Sequence, residues 1–182
     1  MKFKKTDISD VVLIEPLVRG DSRGYFMETF LHDKFLKEVT DTTFVQENES
    51  CSAYGVLRGL HFQLPPYAQS KLIRVIKGKV YDVAVDIRRN SPTFGKYVGF
   101  ELSGENKWQL FIPRGFAHGF VTLEDNTIVQ YKTDNYYAPN SEGAILWSES
   151  EIGIDWPIES SRIILSPKDK SSPRLRDAQV FY

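Results

Sequence analysis

The sequence predicts a mainly β fold: an antiparallel sandwich or jelly-roll barrel with a few short helices, in one domain over residues 1–182. Three observations point there. Apolar and polar residues alternate in short runs. Gly, Pro, Asn and Asp interrupt those runs at close intervals. Helical spacing is scarce, and one short segment carries most of it.

Val11 to Val18 is the first strand candidate. His32 to Val39 suits about two helical turns, with Phe35, Leu36 and Val39 on one face. Phe44 to Asn48 is the next strand, and Leu57 to Gln63 reads as a partly apolar strand interrupted by Gly59. Lys71 to Ile76 is β-rich and leads through Lys77-Gly78-Lys79 into the cleanest alternation, Lys79 to Ile87. There Tyr81, Val83, Val85 and Ile87 face one way, and Val80, Asp82, Ala84 and Asp86 the other. A glycine in so short a polar link predicts a hairpin. Tyr97 to Leu102, Trp108 to Ile112, Ala117 to Leu123 and Thr127 to Thr133 complete the strands. Ser166 to Tyr182 mixes Pro, Lys, Asp and Arg and reads as a short helical or irregular tail. A barrel of this kind leaves a cavity between its sheets, where inward side chains can line a small ligand.

Bulk composition narrows the functions. A chain of 182 residues with 41% hydrophobic content can bury a proper core as a soluble globular protein. A net charge of -1 offers no global attraction to nucleic acid or to an anionic membrane, so neither is an expected partner. Cys51 is the one cysteine; it can form no internal disulfide, which fits a reducing, cytoplasmic setting. The basic start at Lys2, Lys4 and Lys5 is followed by no apolar stretch of the signal-peptide kind. No apolar run approaches the roughly 18 residues of a membrane span.

The chemistry has few carriers. There are three histidines, His32, His61 and His118, with no His-x-His pair, and zinc-finger spacing is impossible with one cysteine. No Gly-rich phosphate loop or dinucleotide fingerprint appears, so neither a metal nor an organic cofactor is expected. His61 sits in Leu57-Arg58-Gly59-Leu60-His61-Phe62-Gln63, where a base beside an arginine suggests proton chemistry on an anionic substrate. Such a site would add a carboxylate behind the imidazole, a tyrosine as acid and a cation for an oxyanion. Composition does not choose among nine tyrosines. The plainer alternative is that His61, flanked by Leu60 and Phe62, is a satisfied core residue, that Asp21-Ser22-Arg23-Gly24 is a turn, and that Phe116 to Phe120 is core around His118.

The order of several motifs goes further. Asp21-Ser22-Arg23-Gly24-Tyr25-Phe26-Met27-Glu28 is followed by Phe44-Val45-Gln46-Glu47-Asn48-Glu49-Ser50, then by the His61 segment and Lys71-Leu72. Pro113-Arg114-Gly115-Phe116-Ala117-His118-Gly119-Phe120, Tyr131-Lys132-Thr133 with Tyr136-Tyr137-Ala138-Pro139, and Ser166-Pro167-Lys168-Asp169 follow in turn. Over nearly its whole length the chain resembles the dTDP-4-dehydrorhamnose 3,5-epimerase family. The resemblance implies a cupin-like jelly roll, a homodimer, no metal and no cofactor. It implies a dTDP-linked 4-keto-6-deoxyhexose substrate whose C3 and C5 are both inverted through an enolate. His61 would be the base, Asp169 its carboxylate partner, Tyr131 the acid and Lys71 the enolate stabiliser. Arg23, Glu28, Gln46, Glu47, Asn48, Arg58, His118, Glu142 and Lys168 match positions that line the nucleotide-sugar site. Tyr137 matches the residue that stacks on thymine.

Two readings compete with this one: an epimerase of C3 alone or C5 alone, and a barrel that binds a sugar nucleotide without turning it over. One local conflict also needs resolving. In an ideal strand Arg58 and His61 face opposite sides, yet both should meet one ligand. A bulge at Gly59 is the expected remedy.

Overall fold

A computed structural model describes residues 1–182. In chain order the elements are β1 (Lys2–Lys5), β2 (Val12–Glu15), β3 (Val18–Asp21), β4 (Gly24–Met27), α1 (His32–Glu38), β5 (Gln46–Ser52), β6 (Leu57–Gln63) and β7 (Lys71–Lys77). They continue with β8 (Lys79–Asp86), β9 (Tyr97–Ser103), β10 (Gln109–Ile112), β11 (Phe116–Thr122), β12 (Thr127–Thr133), β13 (Glu142–Ala144) and α2 (Pro167–Lys170). A six-stranded sheet runs β1-β2-β10-β7-β12-β5, and a five-stranded sheet runs β13-β6-β11-β8-β9. Every strand pair in them is antiparallel, as the jelly-roll expectation requires. β3 and β4 form a small separate hairpin. No helix is long and apolar enough to cross a membrane.

The alternation of β8 has a simple physical origin. Val80 and Ala84 pack with Ile73, Val75, Leu110, Phe116, Phe120 and Val129 in the core between the two sheets. Val83, Val85 and Ile87 pack on the other face, under Ile145, Ile152, Trp156, Leu175 and Val180 of the C-terminal region. The five-stranded sheet is therefore buried on both sides, and each large apolar side chain so buried contributes about 1.5–3 kcal/mol. On the outer face of the six-stranded sheet, α1 presses Phe35 against Val12, Ile14, Leu72 and Phe111.

Three sequence expectations need correction. β7 and β8 are not a hairpin: β7 pairs with β10 and β12, and β8 with β11 and β9. Gly78 (φ +76°) turns the chain from one sheet into the other, where an added Cβ would lie 2.2 Å from Thr127 Oγ1. A glycine that permits a tight hairpin permits a sheet corner equally well. The run from Val11 to Val18 divides into β2 and β3 at Pro16-Leu17, because proline supplies no ladder donor. β5 starts at Gln46 rather than Phe44 and runs on to Ser52. As the edge strand beside β12 it needs no continuous apolar stripe, so its polar half gave no strand signal. The turn at Asp21 to Gly24 is present and closes β3–β4, with Asp21 Oδ1 accepting the Arg23 N–H at 2.8 Å.

The expected bulge is also present. His118 of β11 lies opposite His61, and Phe120 opposite Arg58, so three steps of β6 match two of β11. Gly59 has φ +137°, and a Cβ there would fall 2.5 Å from Gly119 Cα and 3.0 Å from the His118 carbonyl oxygen. Gly59→Ala should therefore destabilise the protein by at least about 1–3 kcal/mol, the usual range for a disfavoured backbone state. Urea unfolding checks this, and a midpoint equal to that of the parent would mean that β6 can accept a side chain there.

Candidate active site

The bulge aims Arg58 and His61 into the same space between the sheets. Two adjoining cavities, of about 250 and 260 Å³, share His61, Lys71 and Tyr131 as walls. β6 brings Arg58, His61 and Gln63 from the five-stranded sheet, with His118 beside them on β11. The facing six-stranded sheet brings Gln46 and Asn48 on β5, Lys71 at the start of β7, and Tyr131 on β12. Glu142 of β13 and exposed Tyr137 stand at the first cavity, and Lys168 and Asp169 of α2 at the second.

His61 and Asp169 form the central pair. Asp169 Oδ1 lies 2.6 Å from His61 Nε2, and the carboxylate is buried. Ser166, the N-cap of α2, holds Asp169 twice: its hydroxyl donates to the carboxylate Oδ2 at 2.8 Å and accepts the backbone N–H at 3.1 Å. A carboxylate on Nε2 fixes the proton there and leaves the Nδ1 lone pair free. Burial lowers the His61 pKa, an effect that Asp169 and Glu142 oppose and Lys71 reinforces. At neutral pH the ring is therefore uncharged and able to accept a proton.

The other titratable groups are tuned chiefly by burial. Lys71 is brought down to about 8 by desolvation, against the attraction of Asp82 and Glu142, and it forms no ion pair. Burial raises the Tyr131 pKa, while Arg58 and a hydrogen bond from Asn48 pull it back. The phenol thus keeps its proton at neutral pH. Burial would raise Glu142, but Lys168 Nζ at 2.5 Å and the Tyr137 hydroxyl at 3.1 Å hold its carboxyl below the usual range. His118 Nε2 lies 2.9 Å from Asp82 Oδ2, and the second oxygen of Asp82, fully buried, has no hydrogen-bond partner.

Eleven of the residues singled out in the sequence line these cavities: Gln46, Asn48, Arg58, His61, Lys71, His118, Tyr131, Tyr137, Glu142, Lys168 and Asp169. Three do not. Arg23 is exposed at the tip of the β3–β4 hairpin and pairs with Asp21 at 2.6 Å. Glu28 is exposed just beyond β4, and Glu47 is bound to Lys132 at 2.7 Å. Sequence reasoning missed Ser166 and Asp82. Ser-Pro-Lys-Asp carries the N-cap signature of a Ser followed three residues later by an acid. Asp82 is an acid on the inward side of an apolar alternation, a signal that was available.

No three His, Cys, Asp or Glu side chains gather where they could hold a metal ion. A larger cavity, about 690 Å³, lies by Ser91 and Tyr182, but its guanidinium groups are already engaged. Arg88 binds Asp86 and Asp10, and Arg114 binds Asp134.

A half-buried neutral imidazole, a protonated phenol and an unpaired ammonium around one cavity are the parts from which acid–base chemistry is built. Comparison with known proteins gives the family of the chain. A family model described as dTDP-4-dehydrorhamnose 3,5-epimerase matches residues 5–177. The dTDP-4-dehydrorhamnose 3,5-epimerase of Shigella flexneri is 53% identical over 182 residues, covering 100% of this chain and 99% of its own. The crystal structure of a dTDP-6-deoxy-D-glucose-3,5-epimerase from Legionella pneumophila Philadelphia 1, in complex with dTDP-4-keto-L-rhamnose, superposes with a TM-score of 0.93 at 45% identity. That match covers 97% of this chain and 93% of the other. A more distant neighbour, a 3'-monoepimerase from Streptomyces bikiniensis in complex with dTDP-quinovose, has a TM-score of 0.88 at 30% identity, over 94% of this chain and 87% of its own. The chain belongs to the dTDP-4-dehydrorhamnose 3,5-epimerase family.

Lys71 links this site to stability. Its folded pKa, about 8, lies below its ordinary 10.5, so between those values the unfolded chain binds more protons and stability rises with pH. At pH 7 the buried charge opposes folding. Lys71→Met should raise the thermal midpoint at pH 7, the gain should shrink as the pH rises from about 8 and vanish only above 10.5, and turnover should be lost. Scanning calorimetry across that pH range checks the sign.

Proposed function

We propose that this protein epimerises C3 and C5 of dTDP-4-dehydro-6-deoxy-D-glucose, giving dTDP-4-dehydro-L-rhamnose for dTDP-L-rhamnose synthesis, with residues 1–182 acting as one domain and no cofactor. One observation carries the reading. The His61–Asp169 pair and Tyr131 project from opposite sheets into one cavity, with the unpaired Lys71 beside them.

The C4 ketone acidifies the hydrogens on C3 and C5. His61 Nδ1 takes one of them, the C–H bond breaks, and the electron pair moves onto the ketone oxygen as an enolate. The Lys71 ammonium stabilises that oxygen in a site where burial strengthens the attraction. Tyr131 then gives its phenolic proton to the same carbon from the opposite face, inverting it. Imidazolium and phenolate recover their neutral forms by exchange with solvent, and the sequence repeats at the second carbon. Arg58 and Lys168 suit the diphosphate. The exposed Tyr137 ring offers a face for thymine, a contact worth roughly 1–3 kcal/mol.

The working form is a homodimer. Within one chain Arg23 and Glu28 lie outside the cavities, on or beside a hairpin that exposes Leu17, Val18, Tyr25 and Phe26. A second copy would cover that apolar face and bring both residues to a site. The proposed setting is the cytoplasm, in keeping with a single, unbridged cysteine.

In deuterium oxide the product should carry label at both C3 and C5, at a rate unchanged by a chelator. Label at one carbon would instead mark a single-centre epimerase, and chelator-sensitive turnover would refute the cofactor-free reading. His61→Ala should lower turnover by on the order of 10² to 10⁴ while dTDP affinity stays within a few-fold. Sedimentation velocity should give two chains per particle for the parent and one for Phe26→Asp.

A further inference from the structure

The phenol of Tyr131 faces a polar chain that runs from the Tyr137 backbone through Gln46 to Asn48. Asn48 stands directly opposite Tyr131 across the β5–β12 ladder, and both side chains line the same cavity. Gln46, two residues earlier on the same face of β5, donates from Nε2 to Asn48 Oδ1 at 2.9 Å. Gln46 Oε1 in turn accepts the backbone N–H of Tyr137 at 3.1 Å. The Tyr137 segment is itself pinned on both sides. Gln63 Oε1 accepts the Ala138 N–H at 2.8 Å, and Gln63 Nε2 donates to the Tyr136 carbonyl at 3.2 Å.

The direction of this chain is not arbitrary. A backbone N–H can only donate, so Gln46 must turn its carbonyl to Tyr137 and its amino group to Asn48. Asn48 must then offer its carbonyl to Gln46, which leaves its own amino group for Tyr131. A phenol oxygen that accepts from such an amino group cannot direct its hydrogen there, which leaves the O–H free to turn toward the cavity that both side chains line. With the Asn48 amide reversed, its carbonyl would accept the phenolic hydrogen and withhold it from the substrate.

We propose that Gln46 is a positioning residue: held by the Tyr137 backbone, it fixes the Asn48 amide so that the proton of Tyr131 faces the sugar. The acid step is thereby tied to the segment on which the nucleotide base would stack. This rests on the reading of Tyr131 as the acid and deepens it, because it assigns Gln46 a task separate from holding ligand.

Two variants separate that task from binding. Gln46→Glu can still accept from Tyr137 but cannot donate to Asn48, which frees the Asn48 amide to reverse. Gln46→Met keeps the length and removes both bonds. Each is incubated with the 4-keto sugar nucleotide in deuterium oxide at saturating concentration, after a thermal melt to confirm folding. The readout is the ratio of label in recovered, uninverted sugar to inverted product. An enolate that lacks its acid is reprotonated by His61 on the original face, so exchange continues while inversion fails. The ratio should rise about tenfold or more in both variants, a change equivalent to one factor of ten in partitioning. Variants that lose exchange and inversion in parallel would show that Gln46 only binds ligand and would overturn the proposal, as would an unchanged ratio. A parent enzyme that exchanges no label would refute the epimerase reading itself, a separate result from a parent that exchanges and inverts beside variants of unaltered ratio.

Discussion

Gly59 and Gly119 meet across β6 and β11 so closely that neither strand has room for a β carbon. This backbone contact is the constraint on which the rest of the site depends. It lets β6 take one more step than its neighbour, so Arg58 and His61 open toward one space instead of two. His61 then meets Asp169, and Asp169 in turn fixes α2 against β6. Lys71, His118 and Tyr131 gather around an imidazole whose place the backbone has already set. The site is built on ladder strands rather than on loops, which limits how far these groups can drift.

Desolvation does most of the electrostatic work. It holds His61 neutral, weakens the hold of Lys71 on its proton and strengthens that of Tyr131. The same burial thus leaves the base able to accept and the phenol able to donate. The carboxylates around them give each shift a limit: Asp169 behind His61, and Asp82 and Glu142 near Lys71. A fully apolar pocket would push these groups further and leave Lys71 without charge at working pH.

Much of this was legible in the chain. Alternation revealed the sandwich because β8 has to satisfy two cores, and the conflict between Arg58 and His61 revealed the bulge. Where reading failed, the cause was a signal with two structural outcomes. Gly78 fits a hairpin or a sheet corner, and only the pairing of β7 with β10 and β12 decides between them. The polar half of β5 carried no stripe because an edge strand does not need one. Asp169 stood out only through resemblance, since no local pattern joins it to His61, 108 residues earlier. Arg23, Glu28 and Glu47 came from the same motifs as the lining residues, but a motif does not record whether a residue reaches the cavity of its own chain.

The C-terminal region has two duties at once. It covers the outer face of the five-stranded sheet with Trp156, Leu175 and Val180, and it carries the carboxylate that binds His61. A nascent chain on the ribosome can pair most of its strands while still lacking both. Contacts between such distant parts of a chain carry the entropic cost of closing a long loop. The pairing of His61 with Asp169 therefore comes with the closing of the second core. A copy whose C-terminal region has not docked holds the imidazole without its carboxylate, so the pair at the centre of the site also registers whether the last stretch of chain has found its place.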